Sequence, residues 1–425
     1  MRDVVVFVHP WMWAVSMFAD VRARGLGIVS IVTGAEGTRI DPVWLAAHSD
    51  YVLHRQGNVE EVSDISTVLK AEGLKPVAVI NGLDSTLVFA DAIQARLLGL
   101  DLDLEASAVR LNKYAVNETL RRAGVPSVPT VRIRSEGDAA TRVEAIAALG
   151  TPFIAKPAGD TAGMAGVELL ADHGALVDYL RRRLGHANGY YPDQTVQEVV
   201  VQKYMAPSRY REFTVDFLSV DGVHECVGIS ENQKDDQGVF RATVTFDTTA
   251  SPGFAVVTAY VRRCLDALKV RWGFSHNEVF WDMAEEVFLV ETNNRYAGQP
   301  VTDLYALSYE RSPLAPLIER KPVTDAGRVS QRARHGAAVY LYNISTESPD
   351  ALDLGEATPY ARITDFRGKG RPAIARDFAS AYDRGRHIGA IVIIESDHAG
   401  EIERLTTDLV ARDREGRVFV AAVTA

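Results

Sequence analysis

Residues 275–295, SHNEVFWDMAEEVFLVETNNR, restrict the possible fold of this chain more than any other segment. Two runs rich in β-branched and aromatic residues flank a turn centred on Ala284 and Glu285, which predicts an antiparallel hairpin. With that centre, Glu278 falls opposite Glu291, Val279 opposite Val290 and Trp281 opposite Phe288. Side chains alternate along a strand, so the four apolar residues are expected on one face and the two glutamates on the other, beside Phe280 and Leu289. Asn293 and Arg295 join the glutamates if the strand stays extended. Directly opposed carboxylates repel one another. A divalent cation between them removes that cost, and the oxygen-only set of Glu278, Glu291 and Asn293 suits magnesium. Arg295 then offers a positive fork to a phosphate or an acyl phosphate. The other reading is a solvated acidic face, and Asp282, Glu285 and Glu286 near the turn fit that reading.

A chain of 425 residues exceeds one ordinary core, so two or three domains are expected. Apolar content of 47% and charged content of 24% are those of a globular protein, and no apolar run nears the ~18–20 residues of a membrane helix. The opening MRDVVVFVHPWMW has too short an apolar run for a signal peptide and reads as a buried strand. Net charge is −10 with Lys and Arg dispersed, which argues against nucleic acid as the partner but leaves nucleotides open. Two cysteines, Cys226 and Cys264, are too few for a disulfide framework or a cysteine zinc site. Both are read as packing residues, and a cytoplasmic location fits them.

The first 105 or so residues alternate strand and helix, with strands expected at Asp3–Val8, Gly27–Thr33, Asp50–Leu53 and Pro76–Ile80. Val- and Ile-rich strands between helices predict a small parallel sheet. No GxGxxG follows the first strand, so a dinucleotide fingerprint is missing. His9 and the Trp11–Trp13 pair follow that strand and read as loop and helix packing. Further on, a helix is expected over Asn112–Ala123, and strands at Pro152–Lys156, Val196–Met205 and Glu212–Val220. A second helix is expected at Phe254–Leu268, and the last 95 or so residues mix strands (Gly336–Tyr342, Gly389–Glu395) with a helix near Ala399–Arg412. Lys156 ends a buried strand directly before GDTAGMAG, where a lysine can meet phosphates while loop amides close over them. Taken singly, Lys156 and Lys113 could equally be surface lysines; their order relative to the hairpin raises both.

That order resembles the ATP-grasp superfamily, in particular its carboxylate–amine ligases of the L-amino-acid ligase type. The likeness is carried by LNKYAVNETLRRAGVPSVPT, PFIAKPAGDTAGMAGVELL, VQKYMAPSRYREFTVDFLSVDGVH and FSHNEVFWDMAEEVFLVETNNRYAGQP, spanning about 108–300. It implies a mixed α/β and α+β architecture, an ATP-grasp fold behind a Rossmann-like parallel-sheet domain. The implied units are an N-terminal domain over 1–105, a small subdomain with a phosphate flap over 106–205, a large subdomain with the metal site over 206–330, and a C-terminal α+β subdomain over 331–425. Lys113 and Lys156 correspond to the two phosphate-contacting lysines, and the 159–166 loop with Gly163 to the flap. Gln202, Lys203, Tyr204 and Met205 match the segment that receives adenine, although relatives often carry Glu where Lys203 stands. Glu212 matches an acid near ribose and phosphates. Glu278, Glu291 and Asn293 match the magnesium ligands, and Arg295 the arginine that stabilises phosphoryl and tetrahedral states. For substrate contacts the candidates are His224, Glu231, His276, Arg295, Gly298 and Gln299.

The resemblance implies ATP-dependent amide formation between a carboxylate, an amino acid by preference, and an amine through an acyl phosphate, with Lys156 and Arg295 catalytic. Mg2+ is the implied metal, with Mn2+ as a substitute. Expected partners are small molecules, with no nucleic acid and no membrane, and the reading allows a homodimer. The rival readings are phosphoryl transfer or carboxylation on the same fold, or a non-catalytic nucleotide-binding regulator.

Overall fold

In the first strand, β1 (Arg2–Val8), residues Val4 to Val8 are all fully buried, as expected for a strand covered on both faces. It pairs in parallel with β2 (Gly27–Thr33) and β4 (Leu74–Asn81), and β2 pairs with β3 (Tyr51–Arg55), giving the order β3-β2-β1-β4. One face carries Val5, Phe7 and Ile28 against the helix Val15–Ala23. The other carries Val4, Val6 and Ile31 against the helices Val62–Ala71 and Leu87–Leu98. The computed structural model describes residues 1–11, 14–34, 40–159, 166–187, 194–235, 239–246, 253–298, 300–308, 314–322, 334–342, 351–366 and 388–420. Two helices absent from the sequence reading have readable starts. Asp41 caps Pro42–His48 by accepting from the Val43 amide at 2.8 Å, and Asp103 caps Leu104–Arg110 through Ala106 at 3.0 Å.

A second sheet joins β5 (Thr130–Ile133), β6 (Phe153–Pro157), β7 (Glu168–Leu170) and β8 (Val199–Lys203) in the antiparallel order β5-β8-β6-β7. Its core includes Ile133, Phe153 and Val199, packed with Tyr179 of the helix His173–Arg183.

The large sheet begins with β9 (Arg211–Val220), β10 (Val223–Lys234), β11 (Phe240–Thr245), β12 (Gly273–Trp281), β13 (Val287–Asn293) and β14 (His335–Tyr342). After the short β15 (Ala351–Leu352), β16 (Ala361–Phe366) and β17 (Ile388–Ser396) complete the order β13-β12-β9-β10-β11-β14-β17-β16. The chain beyond residue 331 therefore adds strands to this sheet through β11–β14 pairing and covers them with the helix Ala399–Arg414. One face of the sheet is an apolar core of Phe213, Val215, Phe217, Val279, Trp281 and Leu289, under Val257, Val261 and Leu265 of the helix Phe254–Ala267. Cys226 and Cys264 lie unpaired in this core, where burial pushes each thiol up to about 12. Among the described residues no helix is long and apolar enough to cross a membrane.

Candidate active site

Alternation along β9 sends the odd residues 213, 215 and 217 into the core and leaves Glu212, Thr214 and Asp216 on the opposite face. The ladder extends that face, since Glu278 pairs with Thr214, His276 with Asp216, and Asn232 with Glu212. Glu278 and Glu291 are direct cross-strand partners, as the sequence predicts, and the ladder also sets His276 against Asn293. Beyond Glu278 the register differs from the expectation. A shift between Glu278 and Val279 pairs Val279 with Leu289 and Trp281 with Val287, in place of Val290 and Phe288. Val279, Trp281, Val287 and Leu289 thus fill the core, while Phe280 and Phe288 face the other way. Val287, Leu289 and Glu291 have the same parity, so without the extra residue at Val290 the glutamate would be turned toward the core. The bulge re-aims Glu291 at Glu278.

The helix Lys113–Arg122 is capped by Asn112, whose side chain accepts from the Ala115 amide at 2.9 Å. The Lys113 amide donates to the Ala158 carbonyl (2.8 Å), tying the helix start to the end of β6. Lys113 Nζ donates to the Gly159 carbonyl (3.0 Å) and lies 3.1 Å from Glu291 Oε1. Lys156, buried on β6, shares this space. Burial and then the Lys113 charge lower its pKa to about 8, against the pull of Glu291, Glu278 and Glu212. Glu278 is pushed up to about 7 by burial and by the carboxylates of Glu212 and Glu291. Burial also raises Glu291, but Lys113, Lys156 and Arg295 outweigh it and hold this carboxyl below its usual value. His276 Nδ1 sits 2.7 Å from Asp216 Oδ1, and that carboxylate overcomes burial to raise the histidine.

Arg295 donates from Nε to Asp84 Oδ2 (2.8 Å) and from Nη1 to the Tyr296 carbonyl (3.0 Å). Asp84 follows β4, and Asn81 of that strand donates to the Asn294 carbonyl at 3.0 Å, so the carboxyl end of the parallel sheet holds the segment after the hairpin. Gly82 permits this closeness, because a Cβ there would lie 2.4 Å from the His9 carbonyl and 3.0 Å from the Tyr296 hydroxyl. A small cleft is lined here by Asp84, Arg110, Lys113, Glu291, Asn293 and Asn294. On the far side of Glu212, Val128, Met205 and Tyr210 pack with Phe280 and Phe288 into an apolar patch. Gln202 is buried and donates to Thr130 Oγ1 (2.9 Å), the Lys203 amide donates to the Pro129 carbonyl (3.0 Å), and the Lys203 side chain is exposed. Tyr204 is half-buried.

Two expected substrate residues are not brought to this group. His224 is on the core face, between Ser219 (2.8 Å) and Asp266 (3.3 Å) beside the helix Phe254–Ala267. Glu231 pairs with Phe213 and points to that same face, where it forms an ion pair with Arg211. Neighbouring residues on a strand point opposite ways, so Ser230, paired with Thr214, faces the site while Glu231 does not. Gly298 forms the turn before the helix Val301–Ser308, its carbonyl accepting from the Val301 amide at 3.0 Å. Gly163 and Gln299 lie outside the described residues.

Sequence reasoning missed Asp84, Asp216, Asn232 and Lys234. The last two were within reach, since 230, 232 and 234 share parity on β10 with the acid-bearing face. Among the described residues no three His, Cys, Asp or Glu side chains are grouped to hold a metal. The candidate set is two carboxylates and an amide, because both oxygens of the third acid, Glu212, are taken by Asn232 Nδ2 (3.1 Å) and Lys234 Nζ (2.5 Å). Two opposed, half-buried carboxylates, of which Glu278 is pushed up by burial and by the acids beside it, fit a hard divalent cation with further ligands from substrate and water.

No family profile matches the chain. It is 31% identical over 201 residues to the uncharacterized protein y4rH of Sinorhizobium fredii (strain NBRC 101917 / NGR234), a match covering 47% of this chain and 39% of that protein. The match thus spans well under two thirds of that relative's length. The chain is 23% identical over 376 residues to dapdiamide A synthase of Enterobacter agglomerans, covering 85% of this chain and 84% of the synthase. Among solved structures, L-amino acid ligase from Bacillus licheniformis matches with a TM-score of 0.72 and 13% identity, over 100% of both chains. N5-carboxyaminoimidazole synthetase from Staphylococcus aureus, complexed with ADP, matches with a TM-score of 0.66 and 12% identity, over 96% of this chain and 97% of that one. At such identities the structural likeness is one of fold.

Proposed function

This chain has the ATP-grasp fold, and on that premise we propose that it joins a carboxylate, by preference that of an amino acid, to an amine at the expense of ATP. The observation that carries the reading is the direct opposition of Glu278 and Glu291 on a face shared with Lys113 and Lys156. The similar proteins of known activity include carbon–nitrogen ligases, and dapdiamide A synthase is similar along most of this chain. The working units stay 1–105, 106–205, 206–330 and 331–425, with the last built onto the large sheet.

A carboxylate is a poor acyl donor because its oxygen leaves badly. In this reading a carboxylate oxygen attacks the γ-phosphorus of ATP, the bond to the β-γ bridging oxygen breaks, and ADP departs. The amine then attacks the acyl carbon, losing a proton, and inorganic phosphate leaves with the former carboxylate oxygen. Lys156 and Lys113 hold phosphate oxygens on one side, and Arg295, its fork fixed by Asp84, neutralises charge on the other. Glu278, Glu291 and Asn293 would hold Mg2+, or Mn2+ in its place, which when bound neutralises phosphate charge as a Lewis acid. Met205, Phe280 and Phe288 offer an apolar wall to the base. His276, oriented by Asp216, adjoins the metal ligands on the substrate side. The unpaired buried cysteines favour a reducing cytoplasm, and amino acids and amines suffice as partners for a monomer or homodimer.

The test is a phosphate-release screen over amino acids and amines, singly and in pairs, with mass spectrometry of positive mixtures. Amide product with one ADP per bond supports the reading. Phosphate release driven by bicarbonate alone would move the assignment to a carboxylase, and release driven by a hydroxyl compound with no amide to a phosphotransferase. Nucleotide binding with no turnover in any pool would leave a regulator.

A further inference from the structure

The bulge that aims Glu291 at Glu278 has a fixed place on β13, directly after Leu289, because Val290 is the extra residue. β13 is the edge strand of the large sheet and meets Ser127 through an isolated parallel bridge at Leu289. An edge strand is held from one side by its neighbour, so its register depends on whatever else grips it. Here the grip comes from the core side. The Leu289 amide donates to the hydroxyl of Tyr260, on the helix Phe254–Ala267, at 2.8 Å. That hydroxyl donates in turn to the Pro126 carbonyl at 2.7 Å. A phenol has one proton to give, so both its donor and its acceptor role are in use. Tyr260 is buried, and burial raises its pKa, so the hydroxyl stays protonated.

Pro126 and Ser127 belong to the connector between the helix Lys113–Arg122 and β5. The same core helix holds that connector elsewhere, since Arg263 Nη2 donates to the Gly124 carbonyl at 3.0 Å and Val125 packs in the core with Tyr260 and Leu289. Beyond it, β5 opens the sheet whose strand β6 carries Lys156. One hydroxyl thus touches the residue before the bulge and the entry to the Lys156 sheet. The bulge decides which face Glu291 takes, because a one-residue displacement turns a strand side chain to the other side. We propose that Tyr260 is a positioning residue for the divalent-cation site, acting through Leu289 on the direction of Glu291. The proposal rests on the metal reading above and deepens it, placing the control of a metal ligand on the face of the sheet opposite the metal. Removing the hydroxyl leaves the Leu289 amide without this acceptor in a buried place, and the strand regains other placements of its bulge.

The experiment titrates Mn2+ in the presence of ADP, following the free ion by electron paramagnetic resonance, for the unmodified chain, Tyr260→Phe and Val261→Ala. Val261 neighbours Tyr260 on the same helix and is fully buried in the same core. Val261→Ala therefore reports what a loss of core packing alone does. Tyr260→Phe should weaken Mn2+ binding roughly tenfold, the order expected when a residue that orients a metal ligand is removed. Val261→Ala should leave it unchanged while lowering the urea midpoint at least as far. Hydrogen exchange without metal gives a second readout, in which residues 287–293 should exchange faster in Tyr260→Phe and keep their rate in Val261→Ala. Unchanged Mn2+ affinity in Tyr260→Phe, or an equal loss in Val261→Ala, overturns the proposal while leaving the function standing. No Mn2+ binding by the unmodified chain overturns both this role and the metal site.

Discussion

The strands β9, β10 and β12 carry two faces that use similar residues to opposite ends. Each face has a buried histidine beside an aspartate. On the site face, His276 and Asp216 are both buried at 2.7 Å, and the carboxylate raises the histidine. On the core face, His224 is 3.3 Å from Asp266, an acid whose side chain is 67% exposed, and desolvation wins, so this histidine is lowered. The difference teaches that partner burial and distance, more than residue type, decide whether a buried histidine is raised or lowered in its proton affinity. The same contrast holds for the acids. Glu231 faces away from the cluster and is met by Arg211, while Glu212 faces into it and is met by Lys234 and Asn232.

The comparison breaks most sharply if the two faces are attacked separately. Lys156→Ala or Glu291→Ala should lower ADP formation roughly thousandfold, the order seen for losing one preorganised charge partner, with the far-ultraviolet circular dichroism unchanged. Retained amine-dependent phosphate release in either variant would remove the assignment. On the core face, Trp281→Ala or Phe213→Ala should cost about 3–5 kcal/mol in urea unfolding, because both side chains are fully buried.

A smaller effect tests the neutral-histidine rule elsewhere in the molecule. Burial alone lowers His9 to about 4, while its Nδ1 lies 2.9 Å from Thr33 Oγ1. The unfolded chain takes up this proton near the ordinary 6.5 and the folded one only near 4. The unfolded state therefore binds more protons between those values, and stability is lost as pH falls through that window, by about 3 kcal/mol at most. Urea midpoints between pH 7 and 4 should show this slope, flattened in His9→Gln. The smallest effect belongs to the exposed Arg209–Glu286 pair near the hairpin turn, where Arg209→Ala should change stability by less than about 1 kcal/mol.

Sequence periodicity carried much of this. Cross-strand arithmetic located Glu278 against Glu291 and put Asn293 on their face, because the strands keep the expected register up to the metal face. It failed for Val290, since a bulge adds one residue that no hydrophobic pattern marks, and the apolar partners slipped by one from there to the turn. Val- and Ile-rich runs located the parallel sheet, but not Asp84 holding Arg295, a contact across 211 residues of chain. The helix Pro42–His48 was missed although its Asp-Pro start is a local signal, because no long apolar period follows it. The acid and lysine positions were legible as residue types, and Asn232 and Lys234 by their parity on β10; which of them meets which acid became visible only when three strands were set side by side.

The most direct measurement of the central claim follows oxygen. With amino acids carrying 18O in their carboxyl groups, ATP and an amine pool, the released phosphate should contain one 18O atom for each amide bond formed. Amide formation with unlabelled phosphate would contradict attack of the carboxylate on the γ-phosphate, and with it the chemistry assigned to this face of the sheet.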